Sequence, residues 1–139
     1  TDNLYQAANI PADRLATIVH YSAFIAEDVV LNPGVFVMAN AYIGARANIG
    51  NSSLIKANAC IGHDVKCGPL CHFAMGSITG SFSEIGVCSD IAIGATTLEY
   101  IKIGDYSIAG ARSLITHDIP SNEIHIGAPA RFMKKTKEN

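Results

Sequence analysis

Residues 61–77 bring together several side chains that can carry out chemistry. The stretch I-G-H-D-V-K-C-G-P-L-C-H-F-A-M-G-S contains two histidines, two cysteines and an aspartate. His63 is followed directly by Asp64, and an adjacent carboxylate can raise the basicity of an imidazole or select its tautomer. This pair is a candidate general base, and His72 is a candidate second group of the same site.

The composition excludes several classes of partner. The formal net charge is only −2 at pH 7, so nucleic acid and anionic membranes are not expected partners. The apolar runs are too short to span a membrane, and the N-terminal residues lack the pattern of a signal peptide. A chain of 139 residues, 49% of them hydrophobic, suffices for one domain with a core. We therefore expect a single cytoplasmic domain with reduced cysteines.

The sequence contains a repeat of six residues, which predicts the elements that position these side chains. Large aliphatic residues recur in one phase between Val19 and Ile115, and small residues recur four positions later. Eight of the twelve glycines directly follow the large residues: Gly44, Gly50, Gly62, Gly68, Gly80, Gly86, Gly104 and Gly110. A strand alternates with a period of two, which divides six, whereas a helical pattern drifts out of phase. Each repeat therefore predicts a short strand and a turn.

One such repeat is too small to bury a core by itself. Stacked coils solve this problem, because their strands pair about 4.8 Å apart and the large residues form a continuous inward column. An antiparallel sandwich would instead show irregular strand lengths and hairpin signals, which the sequence lacks.

The repeat is similar to that of the hexapeptide-repeat acyltransferases, over roughly residues 17–131. The resemblance implies an all-β fold, a left-handed parallel β-helix with triangular coils of eighteen residues, three repeats in each. It also implies a homotrimer with active sites between neighbouring helices. Residues 1–16 are then an N-terminal extension with a short helix, 17–131 the β-helix acyltransferase domain, and 132–139 a basic C-terminal tail.

A coil of eighteen residues predicts what stacks on the candidate base. His63 lies one coil below Ser81 and two below Glu99, with His117 at the top of the same column. Residues related in this way are about 5 Å apart at the backbone. The N–H of Gly80 or Ser81 is therefore a candidate donor to an oxyanion that forms beside His63.

The segment from His63 onward is also similar to a run, H-[ED] followed by H-x(3)-G-[AS], in one branch of this family. That branch comprises sugar O- and N-acetyltransferases, including the sialic-acid O-acetyltransferases and the UDP-amino-sugar N-acetyltransferases. The resemblance implies that His63 is the general base, that Asp64 supports it, and that His72 lies by the thioester of acetyl-CoA. The family often has glycine where this chain has Ser81.

The C-terminal residues carry a second similarity to the family. The terminal run of the family has a D-I-P turn followed by G-x-P-A-R, and these motifs match residues 118–120 and 127–131. The family usually has lysine at the position of His117. In the family the pantetheine arm contacts backbone at positions matching Ala92, Ile93, Gly94, Gly110 and Ala111. The basic residues that could neutralise the cofactor phosphates are Arg112, Arg131, Lys134 and Lys135.

Relatives in this branch generally begin with a nucleotide-sugar-binding α/β domain. Here only the short segment 4–20 precedes the coils, and it is interpreted as the remnant of the last helix of such a domain. No glycine-rich phosphate loop is present. Either the chain is a fragment of a longer protein, or the β-helix alone binds the acceptor.

The predicted function is an acetyl-CoA-dependent acetyltransferase that acts directly on a hydroxyl or amine of a sugar or nucleotide-amino-sugar. No metal is expected. A hexapeptide-repeat carbonic anhydrase would need two zinc-binding histidines five residues apart, and His63 and His72 are nine apart. A Cys/His metal site is disfavoured because Cys67 and Cys71 fall in the inward phases. A purely structural β-helix without catalysis remains the main alternative.

Overall fold

Short strands separated by turns make up nearly all of the computed structural model, which describes residues 8–136. The first seven and last three residues, and with them parts of the predicted extension and tail, lie outside the described residues. One short 3₁₀ helix, Ala12–Arg14, precedes the strands. The strands are β1 (Ile18–Val19), β2 (Phe24–Ile25), β3 (Val30–Leu31), β4 (Phe36–Val37), β5 (Tyr42–Ile43), β6 (Asn48–Ile49), β7 (Leu54–Ile55), β8 (Cys60–Ile61), β9 (Lys66–Cys67), β10 (His72–Phe73), β11 (Ile78–Thr79), β12 (Glu84–Ile85), β13 (Asp90–Ile91), β14 (Thr96–Thr97), β15 (Lys102–Ile103), β16 (Ile108–Ala109), β17 (Leu114–Ile115), β18 (Glu123–Gly127) and β19 (Ala130–Lys135).

The strands form three parallel sheets, one for each side of a triangular coil. Sheet A has the order β1-β4-β7-β10-β13-β16-β18-β19, sheet B has β17-β14-β11-β8-β5-β2, and sheet C has β15-β12-β9-β6-β3. Each of the strands β1–β14 pairs with the strand three further along, so that His72 lies opposite Asp90 and Ile43 lies opposite Ile61. This offset of eighteen residues confirms the predicted coil. The fold is an all-β parallel β-solenoid, consistent with a left-handed β-helix.

The core lies inside the triangle, and the two predicted phases of the repeat line it. Large residues such as Ile43, Ile61 and Phe73 are fully buried, as are small residues of the second phase such as Ala47 and Ala95. A two-residue strand has no core of its own. Each coil is therefore stabilised only when its buried side chains pack against those of the coils above and below.

Each corner of the coil contains one residue with a left-handed backbone, and this position also recurs every six residues. At one corner the residues in this conformation are Arg46, Asp64, Phe82 and Tyr100, with φ between 58° and 60°. Their spacing of eighteen stacks them in one column, which we call the corner column. A positive φ is uncommon for a bulky side chain, so the aromatic residues occupy it only because the coils on either side impose it.

The regular register ends one coil from the top. Thr97 pairs with Ile115 at an offset of eighteen, whereas Ile103 bridges to Ile119 at an offset of sixteen. The last corner therefore has two residues fewer. The sequence pattern placed His117 at the top of the His63 column. In the structure His117 lies in this shortened corner and does not continue that column residue for residue.

A hairpin of β18 and β19 closes the C-terminal end. β18 extends sheet A in parallel, and β19 pairs with it antiparallel. The Lys135 ammonium contacts the Glu123 carboxylate across this hairpin at 2.7 Å. Residues 132–135, assigned to a basic tail from the sequence, thus lie in a strand, because their backbone groups find partners in β18. Within residues 8–136, no helix is both long and apolar enough to cross a membrane.

Candidate active site

The candidate base lies at the corner between sheets B and C, on the turn that follows β8. The Nδ1 atom of His63 is 2.7 Å from Oδ2 of Asp64, and about half of the imidazole is exposed. Its other ring nitrogen, Nε2, has no hydrogen-bond partner among residues 8–136. A neutral imidazole that donates from Nδ1 to a carboxylate presents the lone pair of Nε2, which is the arrangement of a general base.

Arg46, one coil below, holds the same carboxylate with two hydrogen bonds. Its Nε donates to Oδ1 of Asp64 at 2.9 Å, and an Nη2–H donates to Oδ2 at 2.6 Å. The Arg46 guanidinium, and secondarily His63, lower the pKa of Asp64 to about 2. The sequence analysis did not identify Arg46, although Arg46 precedes Asp64 by eighteen residues, which is one coil.

Aromatic residues continue the corner column above the base. The ring of Phe82 is perpendicular to the His63 ring, with centroids 4.9 Å apart. Tyr100 stacks on Phe82 in parallel at 4.8 Å, and 65% of Tyr100 is exposed. These contacts restrict the orientation of His63 from above, as Asp64 does from the side. The sequence analysis also missed both aromatics, which the same spacing of eighteen would have found.

The two predicted oxyanion donors differ in availability. The Gly80 N–H already donates to the Thr97 hydroxyl at 2.9 Å, whereas the Ser81 N–H has no acceptor within residues 8–136. A Cβ on Gly62 would lie 2.6 Å from the Ser81 nitrogen, so this glycine allows the close approach of the two coils. The Ser81 N–H is therefore the better candidate donor.

His72 points outward from β10 and has a carboxylate partner one coil above. Its Nδ1 is 3.0 Å from Oδ1 of Asp90, and its Nε2 is buried with no hydrogen-bond partner among the described residues. Burial raises the pKa of Asp90, although His72 opposes this shift. The contact with Asp90 orients the ring through Nδ1 and leaves Nε2 as the ring atom that a ligand could contact. Sequence reasoning did not identify Asp90.

One chain does not bring His63 and His72 together. His63 lies on the corner after β8 of sheet B, and His72 lies in β10 of sheet A. The strand between them, β9, belongs to sheet C, so the full width of one side of the triangle separates the two histidines. Both can act on one molecule only if a second chain contributes one of them.

The residues predicted to contact the cofactor share one corner, between sheets A and B. Ala92, Ile93 and Gly94 form it in one coil, and Gly110 and Ala111 lie in the coil above. The two coils are joined there by a hydrogen bond from the Arg112 N–H to the Ile93 carbonyl at 2.9 Å. The same corner follows the strands that carry His72 and Asp90.

The C-terminal hairpin lies beside this corner. A Cβ on Gly110 would be 2.6 Å from the Ile126 side chain, so the hairpin packs closely on the corner. Arg131 pairs with Ile126 across the hairpin, and its guanidinium is exposed and donates to the Ala130 carbonyl at 2.8 Å. Arg131 is therefore near the predicted cofactor positions and accessible.

The described part of the chain, residues 8–136, has no group of three or more His, Cys, Asp or Glu side chains that could hold a metal ion. Cys71 is buried and its thiol donates to the Gly86 carbonyl at 3.0 Å. The Cys67 sulfur accepts from the Gly50 N–H at 3.4 Å. Both cysteines thus point inward, as their phase predicted, and away from exposed His63.

A groove of about 760 Å³ runs along the outer face of sheet C. Its lining includes side chains of alternating charge, among them Lys66, Glu84 and Lys102, and the last two form an ion pair of 3.5 Å. Neither His63 nor His72 lines it. The groove is therefore separate from the candidate active site.

Comparisons with known proteins agree with this fold. No protein-family model matches the sequence. The solved structure of PerB from Caulobacter crescentus, in complex with CoA and GDP-perosamine, is 29% identical with a TM-score of 0.88, over 96% of this chain and 64% of PerB. A histidine-to-asparagine variant of perosamine N-acetyltransferase from Caulobacter crescentus, with the same two ligands, is 28% identical with a TM-score of 0.87 over the same shares.

A third structure is the acetyltransferase domain of PglB from Neisseria gonorrhoeae in complex with acetyl coenzyme A. It is 24% identical with a TM-score of 0.86, over 95% of this chain and 63% of that domain, and at this identity the likeness is one of fold. The chain spans less than two thirds of the length of each of these structures. The chain is thus a hexapeptide-repeat β-solenoid, and the solved structures that it resembles include a perosamine N-acetyltransferase in complex with CoA and GDP-perosamine.

Proposed function

We propose that the protein transfers an acetyl group from acetyl-CoA directly to a hydroxyl or amine of a sugar or nucleotide-amino-sugar. The observation that carries this proposal is the half-exposed His63–Asp64 pair, with its Nε2 free, on a solenoid like that of PerB. The PerB structure contains CoA and GDP-perosamine, so an amine on a nucleotide-linked sugar is the favoured acceptor class. The cytoplasmic location and the domain limits stay predictions.

In the proposed reaction, Nε2 of His63 removes a proton from the acceptor as its oxygen or nitrogen attacks the thioester carbon. The Ser81 N–H stabilises the oxyanion of the tetrahedral intermediate, and His72 positions the thioester carbonyl. The intermediate collapses by breaking the carbon–sulfur bond, and the CoA thiolate takes the proton from His63. Direct transfer needs no acyl-enzyme, and the hydrogen bond with the Cys67 thiol, together with burial, raises the pKa of the Cys71 thiol, so that Cys71 is a poor nucleophile.

The acetyl donor is expected at the corner between sheets A and B. Ala92, Ile93, Gly94, Gly110 and Ala111 are the proposed contacts of the pantetheine arm. Arg131 is the proposed partner of a cofactor phosphate, since a guanidinium can donate two parallel hydrogen bonds to phosphate oxygens.

A homotrimer is the proposed assembly, because His63 and His72 lie on different sides of one chain. The outward residues of the three sheets support it. Sheets A and B present mainly apolar side chains: Ile18, Phe36, Leu54 and Ile108 on sheet A, together with His72 and Asp90, and Phe24, Tyr42, Ile78 and Leu114 on sheet B, together with Thr96. Sheet C presents mainly polar or charged ones, namely Asn48, Lys66, Glu84 and Lys102, with exposed Val30 as its apolar member. Packing sheet A of one copy toward sheet B of the next buries the apolar columns and leaves sheet C in water.

Binding of the donor is tested by calorimetric titration of the full chain with acetyl-CoA. We expect saturable binding that is weakened in His72→Ala, because Nε2 of His72 is the buried group without a partner. The matched control is His20→Ala, which removes an exposed histidine in the first coil. Equal affinity of the wild type and His72→Ala would remove His72 from the donor site.

Transfer is tested by following release of the CoA thiol with nucleotide-linked amino-sugars as acceptors. Loss of a general base costs about 10²- to 10⁴-fold in rate, and we expect this loss in kcat for His63→Ala. The His20→Ala control should retain activity. Full kcat in His63→Ala with a true acceptor would show that His63 is not the base.

A further inference from the structure

Arg46 is joined to the candidate base through a shared oxygen atom. The Asp64 Oδ2 atom is 2.6 Å from Nη2 of Arg46 and 2.7 Å from Nδ1 of His63. The Arg46 Nε–H also donates to Oδ1, so the guanidinium occupies both carboxylate oxygens. A bidentate contact of this kind fixes the plane of the carboxylate as well as its position.

The backbone explains why Arg46 can reach this carboxylate. Arg46 and Asp64 occupy the same left-handed corner position in consecutive coils, with φ of 59° and 58°. The Asp64 N–H donates to the carbonyl of Ala45 at 2.9 Å, which ties the two corners together. The two side chains therefore leave the backbone in the same direction, one coil apart.

The guanidinium acts on His63 through the position of Asp64. The contact with Arg46 lowers the pKa of Asp64 to about 2, but an ordinary aspartate is also ionised at physiological pH, so ionisation by itself does not require Arg46. What Arg46 adds is orientation, because it holds both carboxylate oxygens while Oδ2 lies 2.7 Å from Nδ1 of His63. A carboxylate fixed at Nδ1 accepts the Nδ1 proton and favours the tautomer with a free Nε2 lone pair.

Among residues 8–136, Arg46 supplies the cation that forms an ion pair with the carboxylate beside His63. The coil above places Ser81 and the uncharged ring of Phe82 beside His63. Glu99 lies two coils above at the same corner. The hydrogen bond to Asp64 raises the pKa of the Arg46 guanidinium, and Asp28 in the coil below adds a smaller contribution. No lysine or other arginine among residues 8–136 has an ion pair with Asp64.

We infer that Arg46 is a positioning residue for the base: by holding Asp64 in two hydrogen bonds, it selects the Nδ1–H tautomer of His63. This inference rests on the proposed function, in which His63 is the base. In this role Arg46 acts on His63 through Asp64, which contacts both side chains.

The experiment uses the full chain with ¹⁵N-labelled histidine, so that the tautomer and the titration of His63 are measured by NMR without any substrate. The variants are Arg46→Ala, which keeps a Cβ at the left-handed corner, and Arg46→Lys, which keeps the charge and loses the bidentate contact with Asp64. The control is Arg14→Ala, an exposed arginine on the 3₁₀ helix. His63→Ala assigns the His63 signals and tests the proposed function separately.

In the wild type we expect His63 to be mostly the Nδ1–H tautomer. Arg46→Ala should shift it toward the Nε2–H form of free histidine, because the carboxylate is no longer held at Nδ1. Arg46→Lys keeps the charge without the bidentate contact and should leave the tautomer shifted as well. With an acceptor, we expect kcat of Arg46→Ala to fall about 10- to 100-fold, less than for loss of the base itself.

Two results would overturn the inference. An unchanged His63 tautomer in Arg46→Ala would show that Arg46 does not act through Asp64, even if His63→Ala is inactive. A shifted tautomer together with full activity of His63→Ala would instead refute the proposed function and leave Arg46 without a positioning role. The Arg14→Ala control should match the wild type in all measurements.

Discussion

Each histidine of the candidate site has a carboxylate partner, but the two carboxylates lie in opposite environments. Asp64 is held by the cation of Arg46, which lowers its pKa. Asp90 is partly buried and has no lysine or arginine partner among residues 8–136, and burial raises its pKa although His72 opposes the shift. The two acid–imidazole pairs thus differ in electrostatic environment, and only the pair with Asp64 is held by a cation in the described part of the chain.

The depressed pKa of Asp64 predicts a loss of stability in acid. The folded chain holds this proton only near pH 2, whereas the unfolded chain binds it near the ordinary value of 3.8. The stability that Asp64 contributes is therefore fully present above about pH 4 and is lost as the pH falls toward 2. The difference in melting temperature between the wild type and Asp64→Asn should shrink across this interval in thermal unfolding experiments. A difference that stays constant throughout would contradict the pairing with Arg46.

At the scale of the element, each two-residue strand contributes one inward side chain, so the hydrogen bonds of single inward residues matter. Thr79 and Thr97 occupy this position in neighbouring strands of sheet B and are both buried. The Thr97 hydroxyl accepts from the Gly80 N–H, whereas the Thr79 hydroxyl has no partner among the described residues. The same residue type thus serves two different roles one coil apart.

We predict opposite effects of the same substitution at these two threonines. Thr79→Val removes a buried hydroxyl that lacks a partner and should raise the free energy of unfolding by about 1 kcal/mol. Thr97→Val leaves the Gly80 N–H without an acceptor and should lower it by about 1–3 kcal/mol. Urea denaturation of both variants measures the difference. Equal changes of the same sign would show that the two hydroxyls are not distinguished in this way.

At the scale of the whole molecule, the three sides of the solenoid differ in chemistry although the repeat that builds them is the same. Phe36 on sheet A and Ile78 on sheet B are exposed large apolar residues, 39% and 46% accessible. The equivalent position on sheet C is occupied by Asn48, which accepts a hydrogen bond from Asn32 at 2.8 Å. Two apolar sides and one polar side fit a closed ring of three copies in which each chain uses two of its sides.

A charge on either apolar side should therefore dissociate the proposed trimer. We expect Phe36→Glu and Ile78→Glu to reduce the mass in solution and to abolish acetyl transfer, because His63 of one chain then no longer meets His72 of a neighbouring chain. Asn48→Glu on sheet C is the matched control, since it adds the same charge and retains an acceptor for Asn32. Light scattering coupled to size exclusion measures the mass. A trimer that persists in both apolar-side variants would place the interface elsewhere.

Repetition made much of this molecule predictable from the sequence. A strict period of six identifies the inward residues, and the offset of eighteen places His63 below Ser81 and His72 below Asp90. The same offset of eighteen also relates Arg46, Phe82 and Tyr100 to the His63–Asp64 corner. They were not recognised as part of the candidate site, because their residue types alone do not indicate a catalytic role. The slip to an offset of sixteen after Ile115 was not predictable, since two residues lost from a corner leave the inward pattern nearly intact.

The sequence by itself determined the coil, the core and the chemical types at each corner, because a periodic chain must bury the same phase in every turn. Only the tertiary structure decided which groups meet. It placed the guanidinium of Arg46 on both oxygens of Asp64 and assigned the Gly80 N–H to Thr97. It also put His63 and His72 on different sides of the triangle. Such contacts depend on side-chain directions and distances between coils, which a linear pattern does not specify.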